Sequence, residues 1–296
     1  MSLSAMKGTV DNNNLLSPTN TNPLVIGTIN VSSLCDRWRL KSIVGDCDRV
    51  GIYCCAVQEH RLEAVDPNSE IQCQMVSHGY QFRYTACTVT PNGYKMAGVG
   101  GILSPLAVRQ LIKQVSINIR ALAFHFRAPR KNTRPASIVF TCLYAPAATA
   151  PDANLLRDQL YSDVSAYLDT LPKSAHVFIS GDMNAMLRKG DVDCLFSRTP
   201  LSRHPNAKSA RDDLIDFCGT NQLSIANGRK SKHHSQLTTH RRPNGQCVTL
   251  DYVLVRSRFR SSVQDITTKW TEVQTDHKLF IIKNKVRLQL PTQQSS

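Results

Sequence analysis

The sequence predicts an α/β fold, a four-layered sandwich in which two stacked mixed β-sheets are flanked by helices. Two observations support this class: short apolar runs of strand length dominate the chain, and helical periodicity is confined to a few segments between them. With 296 residues, of which 41% are hydrophobic and 20% charged, the chain is long enough to bury a sizeable core.

Strands are predicted wherever a short apolar run is bounded by turn residues. These runs cover 24–30, 52–58, 97–103, 117–126, 137–143, 177–180, 248–255 and 278–283. The runs 117–126 and 137–143 are expected to pair as antiparallel strands joined by a basic loop.

Helices are predicted over 34–50, 152–171 and 211–221, where apolar residues recur at helical spacing. Asp152 is expected to cap the second helix. Its apolar stripe consists of Leu155, Leu156, Leu160, Val164, Tyr167, Leu168 and Leu171.

One domain is expected over 24–286. Residues 1–23 are rich in Ser, Asn and Thr and are expected to be a disordered tail, and 287–296 are expected to be loose. The 10 cysteines include no Cys-x-x-Cys pair, and no secretory or membrane-spanning segment is evident. We therefore expect reduced thiols, no membrane association, and a location in the nucleus or cytoplasm.

The formal net charge of +14 and the pI near 9.5 indicate an anionic partner. Nucleic acid fits this charge best, because basic side chains that neutralise phosphates release counterions. The alternative is a basic surface that only maintains solubility.

Polar side chains recur at or near the ends of the predicted strands. They are Asn30, Glu59, Tyr144, Asp182, Asn184, Asp251, Asp276 and His277. A single Gly-Asp-x-Asn is often only a turn, and a single histidine is often only a surface residue. Because so many such placements occur in one chain, we expect them to meet in one crevice.

Six ordered motifs carry a family resemblance: Thr28-Ile29-Asn30-Val31, Gln58-Glu59-His60, Leu143-Tyr144-Ala145-Pro146, Gly181-Asp182-Met183-Asn184-Ala185, Leu250-Asp251-Tyr252-Val253-Leu254-Val255 and Thr275-Asp276-His277-Lys278-Leu279. They resemble the motifs of the endonuclease/exonuclease/phosphatase superfamily, from Leu24 to Ile282. The third, fifth and sixth motifs most resemble the apurinic-endonuclease-like domain of LINE-type non-LTR retrotransposons.

The resemblance implies a Mg²⁺-dependent phosphodiesterase, with Mn²⁺ as an alternative ion. It implies that Glu59 is the main metal ligand with Asn30 nearby, and that Asp182 activates water. It further implies that Asn184 positions Asp182 and the phosphate, and that Tyr144 donates a hydrogen bond to the phosphate.

The same resemblance implies that His277 hydrogen-bonds the scissile phosphate, that Asp251 holds its ring, and that Asp276 assists the metal or His277. Two positions depart from the family pattern. Ala147 stands where many relatives carry Asn, and Ser32 stands where some carry an acid. One substrate contact and one metal carboxylate are therefore expected to be missing.

A hairpin loop before Asp251 is expected to contact DNA. The basic residues assigned to this surface are Lys230, Lys232, His240, Arg241 and Arg242. The resemblance implies that such a hairpin enters a DNA groove, and the alternative is a solvated loop. A zinc site of His233, His234, His240 and Cys247 is disfavoured, because the spacing matches no Cys₂His₂ pattern.

The predicted function is a monomeric endonuclease that nicks one DNA strand and leaves a 3′-hydroxyl for primed reverse transcription, as part of a longer polyprotein with a reverse transcriptase. The alternatives are an abasic-site repair nuclease, an RNA exonuclease, an inositol or sphingolipid phosphodiesterase, and a catalytically inactive DNA-binding module.

Overall fold

The computed structural model describes residues 23–128, 136–187, 208–228 and 236–287. The helices are α1 (Arg37–Val50), α2 (Pro105–Gln110), α3 (Ala153–Asp169) and α4 (Lys208–Thr220). The strands of the first half are β1 (Pro23–Asn30), β2 (Cys54–Gln58), β3 (Ile71–Met75), β4 (Gln81–Thr85), β5 (Thr88–Val89), β6 (Lys95–Met96), β7 (Val99–Leu103), β8 (Leu111–Asn118) and β9 (Ala121–Ala128). Those of the second half are β10 (Ala136–Tyr144), β11 (His176–Asp182), β12 (Leu223–Ile225), β13 (His240–Arg241), β14 (Cys247–Val248), β15 (Asp251–Arg256), β16 (Val263–Lys269) and β17 (Leu279–Arg287).

Two sheets form the centre of the sandwich. A seven-stranded sheet has the order β16-β17-β1-β2-β7-β4-β3, and a six-stranded sheet has the order β12-β15-β11-β10-β9-β8. Apolar side chains from both sheets, such as Ile26 and Phe280 from one and Phe124 and Phe140 from the other, fill a common core. Both sheets mix parallel and antiparallel neighbours, as the sequence predicts.

Helices cover the two outer faces. Ile43 and Val44 of α1 pack with Ile29 and Val57 on the outer face of the seven-stranded sheet. On the six-stranded sheet, α3 and α4 pack over Val139 and Ile179, among others. The order helix, sheet, sheet, helix confirms the four-layered prediction.

The predicted strand 117–126 is wrong, because the chain reverses within it. β8 ends at Asn118, β9 begins at Ala121, and the two strands pair in antiparallel fashion across Ile119 and Arg120. β3, β4, β12 and β16 are absent from the prediction. β3 and β16 mix buried and exposed residues, and β4 alternates buried with half-buried ones, so their apolar runs are too short to stand out.

The predicted apolar stripe of α3 is wrong at its first turn. The side chain of Leu155 is 68% exposed, whereas Arg157 is fully buried, donates from Nε to Oδ2 of Asp213 at 3.0 Å, and donates from Nη2 to Asn154. Asp152 precedes the helix in the left-handed conformation, with φ of 54°, and its side chain makes no cap hydrogen bond. The predicted cap at Asp152 is therefore also wrong.

Gly181 permits the close approach of β10 and β11. A Cβ atom at this position would lie 1.7 Å from the carbonyl oxygen of Leu143, its partner in the parallel register. No side chain fits in that space, so glycine is required one residue before Asp182.

Nine cysteines lie in the described ranges, and all nine are free; Cys54, Cys55 and Cys142 are buried, as predicted. Among the described helices, none combines the length and the apolarity needed to cross a lipid bilayer.

Candidate active site

Six segments bring polar side chains to one edge of the sandwich. Asn30, Tyr144 and Asp182 are the last residues of β1, β10 and β11, and Glu59 directly follows β2. β15 runs antiparallel to β11, so its first residue, Asp251, lies opposite Asp182. For the same reason the segment before β17 lies beside the end of β1, and it brings His277 to this edge.

Asn30 connects the two sheets within the site. Its buried Nδ2 donates to Oε1 of Glu59 at 2.9 Å and to Oδ2 of Asp182 at 3.1 Å. Its Oδ1 accepts a hydrogen bond from the backbone N–H of Ser32 at 3.0 Å. With two acceptors on one side and a donor on the other, the amide orientation is determined by its partners.

Glu59 has a left-handed backbone conformation, with φ of 55°, and a carboxylate that is 21% exposed. Its Oε1 also accepts from the Tyr144 hydroxyl at 2.6 Å, and its Oε2 accepts from Nη2 of Arg61 at 3.1 Å. Burial raises the pKa of the Glu59 carboxyl, but the hydrogen bonds from Tyr144, Asn30 and Arg61 outweigh that effect and hold the net pKa below its ordinary value. Glu59 is therefore ionised at neutral pH.

Asp251, His277 and Asp182 form a buried row of ionisable side chains. Oδ2 of Asp251 is 2.8 Å from Nδ1 of His277, and Nε2 of the same ring is 3.9 Å from Oδ2 of Asp182. Burial lowers the pKa of His277, but Asp251 and, more weakly, Asp182 raise it to about 10. Burial and Asp251 raise the pKa of Asp182 to about 7. At neutral pH the site thus combines an imidazolium with a carboxyl near its titration midpoint.

Asn184 is held close to Asp182. Its backbone N–H donates to Oδ1 of Asp182 at 2.9 Å, and its Nδ2 donates to the carbonyl of Ala145 at 2.8 Å. Burial and the Glu59 carboxylate raise the pKa of Tyr144 well above its ordinary value, so its phenol remains a hydrogen-bond donor.

His240, which the sequence assigns to the DNA-contacting hairpin surface, lies largely buried beside Asp276 and His277. Its side chain is 15% exposed, and its Nε2 is 3.2 Å from Oδ2 of Asp276. The hydrogen bond from His240 holds the pKa of Asp276 well below its ordinary value. Oδ1 of Asp276 accepts from the hydroxyl of Ser32 at 3.3 Å, which connects this pair to the Asn30 loop.

Arg61, Arg120 and Thr239 belong to the site and are absent from the prediction. The Arg120 guanidinium lies 5.2 Å from the centre of the Tyr144 ring. Thr239 Oγ1 accepts the backbone N–H groups of Leu250 and Asp251. The sequence gives a signal only for Arg61, which follows Glu59 and His60. It gives none for Thr239, and none for Arg120, which lies inside a predicted strand.

The predicted hairpin before Asp251 is present, with β13 and β14 paired through His240 with Val248 and Arg241 with Cys247. Arg241 is exposed, whereas Arg242 donates to Oε1 of Gln246 at 3.2 Å and to Sδ of Met186. Lys230 and Lys232 lie outside the described residues.

Two groups of side chains have the composition of metal ligands among the described residues: His240 with Asp276 and His277, and Asp182 with Asp251 and His277. In the second group, Oδ2 of Asp251 and Nδ1 of His277 are already joined to each other at 2.8 Å. Glu59 offers a different environment, a partly exposed and ionised carboxylate, which suits Mg²⁺ because this ion takes one or two carboxylates and retains water ligands.

The chain is similar in sequence to known proteins. The sequence profile described as the Endonuclease/Exonuclease/phosphatase family matches residues 27–271. Craniofacial development protein 2 of Tragulus javanicus is 30% identical over 175 residues, which are 58% of this chain and 29% of that protein. The chain therefore matches less than a third of the length of this relative.

Two solved structures share the fold at low identity. AP endonuclease LMAP from Leishmania major is 17% identical with a TM-score of 0.67, covering 98% of this chain and 93% of that chain. The endonuclease domain of TRAS1, a telomere-specific non-LTR retrotransposon, is 12% identical with a TM-score of 0.55, covering 90% of this chain and 100% of that chain.

Proposed function

This chain belongs to the endonuclease/exonuclease/phosphatase family, and from that premise we propose that it is a Mg²⁺-dependent DNA endonuclease. It nicks one strand of duplex DNA and leaves a 3′-hydroxyl from which reverse transcription is primed. The observation that carries the proposal is the hydrogen-bonded cluster in which Asn30 joins Glu59 to Asp182, with His277 and Asp251 beside it.

The metal would be held by Glu59, a partly exposed carboxylate whose pKa lies below its ordinary value. Asn30 holds the Glu59 carboxylate in place. Its Nδ2 donates to Glu59, and its Oδ1 accepts the backbone N–H of Ser32. Bound Mg²⁺ would screen the negative phosphate and stabilise charge on the leaving oxygen.

Asp182 accepts a proton from the attacking water. Its pKa of about 7 matches a general base that works at neutral pH. The His277 imidazolium, oriented by Asp251, donates a hydrogen bond to the scissile phosphate and opposes the charge that develops there. The Tyr144 phenol donates its single proton to Glu59 in the free protein, and it would donate to the same phosphate instead when DNA is bound.

DNA is the proposed substrate because the chain carries a net charge of +14 and because the exposed Arg241 lies on a hairpin that adjoins the site. The TRAS1 domain, a telomere-specific retrotransposon endonuclease, supports the retrotransposon type by its fold. The proposed setting is the nucleus or cytoplasm, where this chain acts as a monomer within a longer polyprotein that contains a reverse transcriptase.

Incubation with supercoiled plasmid tests the function. Conversion to open circles should require Mg²⁺ or Mn²⁺ and stop when EDTA is added, because the proposed chemistry needs the metal at Glu59. A gel shift without nicking would favour the inactive DNA-binding module. Cleavage of an abasic duplex, an RNA or a phosphoinositide in preference to the plasmid would favour the corresponding alternative enzyme.

The nicking rate should depend on pH through two groups. Asp182 accepts a proton only when ionised, so the rate should rise with pH up to its pKa of about 7. His277 donates only when protonated, so the rate should fall as pH passes its pKa of about 10. Rates measured across this range at saturating Mg²⁺ check both limbs.

Since Asp251 raises the pKa of His277, Asp251→Asn should move the alkaline limb of the pH profile to lower pH. An unchanged alkaline limb would contradict the assignment of that limb to His277.

Arg241 should contribute a phosphate contact. Arg241→Ala should weaken DNA binding and reduce the slope of log affinity against log salt by about one unit. The matched control is Arg260→Ala, which removes an exposed arginine beyond the far end of β15. Fluorescence anisotropy over a salt series measures both variants, and equal slopes for the two would show that Arg241 faces solvent in the complex.

A further inference from the structure

His240, on the hairpin of β13 and β14, contacts Asp276 and His277 but has no role in the proposed reaction. Its Nε2 is 3.2 Å from Oδ2 of Asp276, and its ring centre is 4.6 Å from that of His277. One ligand atom from each of these three side chains lies within 4.8 Å of the other two. The proposed phosphodiester hydrolysis assigns no role to this second imidazole.

We propose that His240, Asp276 and His277 form a zinc-binding site, distinct from the Mg²⁺ site at Glu59, and that zinc bound there blocks nicking. The inhibition rests on the proposed function, whereas the binding does not.

The ligand chemistry selects zinc over magnesium. Two imidazoles and one carboxylate, with water in a fourth position, are a common zinc ligand set, whereas Mg²⁺ takes oxygen ligands. Zinc–ligand bonds of about 2.1 Å in a tetrahedron place the ligand atoms about 3.4 Å apart. The separation of 3.2 Å between His240 and Asp276 is already close to that spacing.

The surrounding contacts hold the ligands in place. Oδ2 of Asp251 binds Nδ1 of His277, which leaves Nε2 for a metal and reproduces the carboxylate–histidine–zinc arrangement. The hairpin is tied to the same segment, because the N–H of Arg241 donates to the carbonyl of Asp276 at 2.8 Å and the N–H of Lys278 donates to the carbonyl of Thr239 at 2.6 Å. These backbone hydrogen bonds fix the position of His240 beside Asp276 and His277.

Zinc would inhibit by occupying the group that contacts the phosphate. Zinc bound to Nε2 of His277 would take the place of the proton through which this atom donates to the phosphate, and that proton would leave to solvent. The hydrogen bond from His277 to the phosphate is then lost. Inhibition therefore requires no displacement of Mg²⁺ from Glu59.

Zinc binding is measured without DNA on the full chain, by competition with a chromophoric chelator, and Co²⁺ serves as an absorption probe of the ligand types. His240→Asn should weaken zinc binding by at least about tenfold, because it removes one of three protein ligands. The matched control is His78→Asn, since His78 also pairs with a carboxylate, Asp48, at 3.1 Å but belongs to no three-ligand group among the described residues. Its zinc affinity should equal that of the wild type.

Equal zinc affinities for the wild type and His240→Asn would overturn the proposal. A thiolate-to-cobalt charge-transfer band would also overturn it, since that band would place a cysteine such as Cys247 on the metal. If thermal unfolding shows that His240→Asn is not folded, Asp276→Asn removes a second ligand and should weaken binding by a similar factor.

Inhibition is then measured by plasmid nicking at constant Mg²⁺, with each variant compared with its own zinc-free rate. The zinc concentration that halves the rate should rise at least about tenfold in His240→Asn, in parallel with the loss of affinity. Half-inhibition at the same concentration in both proteins would refute the inhibitory role. If the wild type nicks no plasmid at all, the proposed function fails, while the chelator titration still decides the zinc site.

Discussion

Asp182→Asn is expected to lower the rate of plasmid nicking by about 10²- to 10⁴-fold, the usual contribution of a general base. The amide cannot accept the proton of the attacking water, although it retains nearly the shape of the carboxyl. DNA affinity should stay nearly unchanged, because basic side chains outside the cluster supply most of it. Any change in affinity should be a slight tightening, because the substitution removes a negative charge that repels phosphate.

The control is Asp158→Asn, which makes the same charge change on the exposed face of α3 and should nick at the wild-type rate. His277→Ala should also lose nicking while it keeps affinity, since its contribution is larger in the transition state than in the bound ground state. Nicking and fluorescence anisotropy are compared in one buffer. A near wild-type rate for Asp182→Asn would refute its role as the base.

A joint loss of binding and nicking would indicate misfolding instead. The new amide nitrogen at position 182 would face Nδ2 of Asn30, a second donor, so some change in stability is expected. Thermal unfolding curves therefore accompany the kinetic measurements.

Gly181→Ala, one residue away, is expected to destabilise the fold itself. The added Cβ would lie 1.7 Å from the carbonyl oxygen of Leu143, and backbone cannot rotate away as a side chain can. The two central strands must separate, which should cost at least about 4 kcal/mol and lower the midpoint of thermal unfolding by about 10 °C or more.

Gly45→Ala is the matched control. Gly45 lies within α1, and a Cβ there would meet nothing within 4 Å. Because alanine favours the helix over glycine, this substitution should raise stability by about 0.5–1 kcal/mol. A midpoint for Gly181→Ala within a few degrees of the wild type would show that β10 and β11 are less closely packed than the structure has them.

The fold class and most of the site follow from local features of the chain. Apolar runs of strand length and the helical spacing in α1 and α4 depend only on neighbouring residues. They therefore predict correctly the two sheets and the helices that form the four layers. The motifs around Asn30, Glu59, Asp182 and His277 are likewise local. Their position at strand ends predicts a shared crevice, and the structure brings these four residues together there.

The remaining features depend on contacts between residues far apart in the sequence. The orientation of Asn30 is determined by Asp182, 152 positions away, and only the packing of the two sheets brings them together. His240 resembles a surface residue in a basic loop, yet the backbone pairing of β13 with the His277 segment turns it inward. Leu155 is exposed and Arg157 is buried, the reverse of what their hydrophobicity predicts. Arg157 can be buried because Asp213 on α4 pairs with it. Hydrophobic patterning reports how much a side chain avoids water, but a buried polar group is stable only where a partner meets it, and that partner is supplied by the tertiary structure.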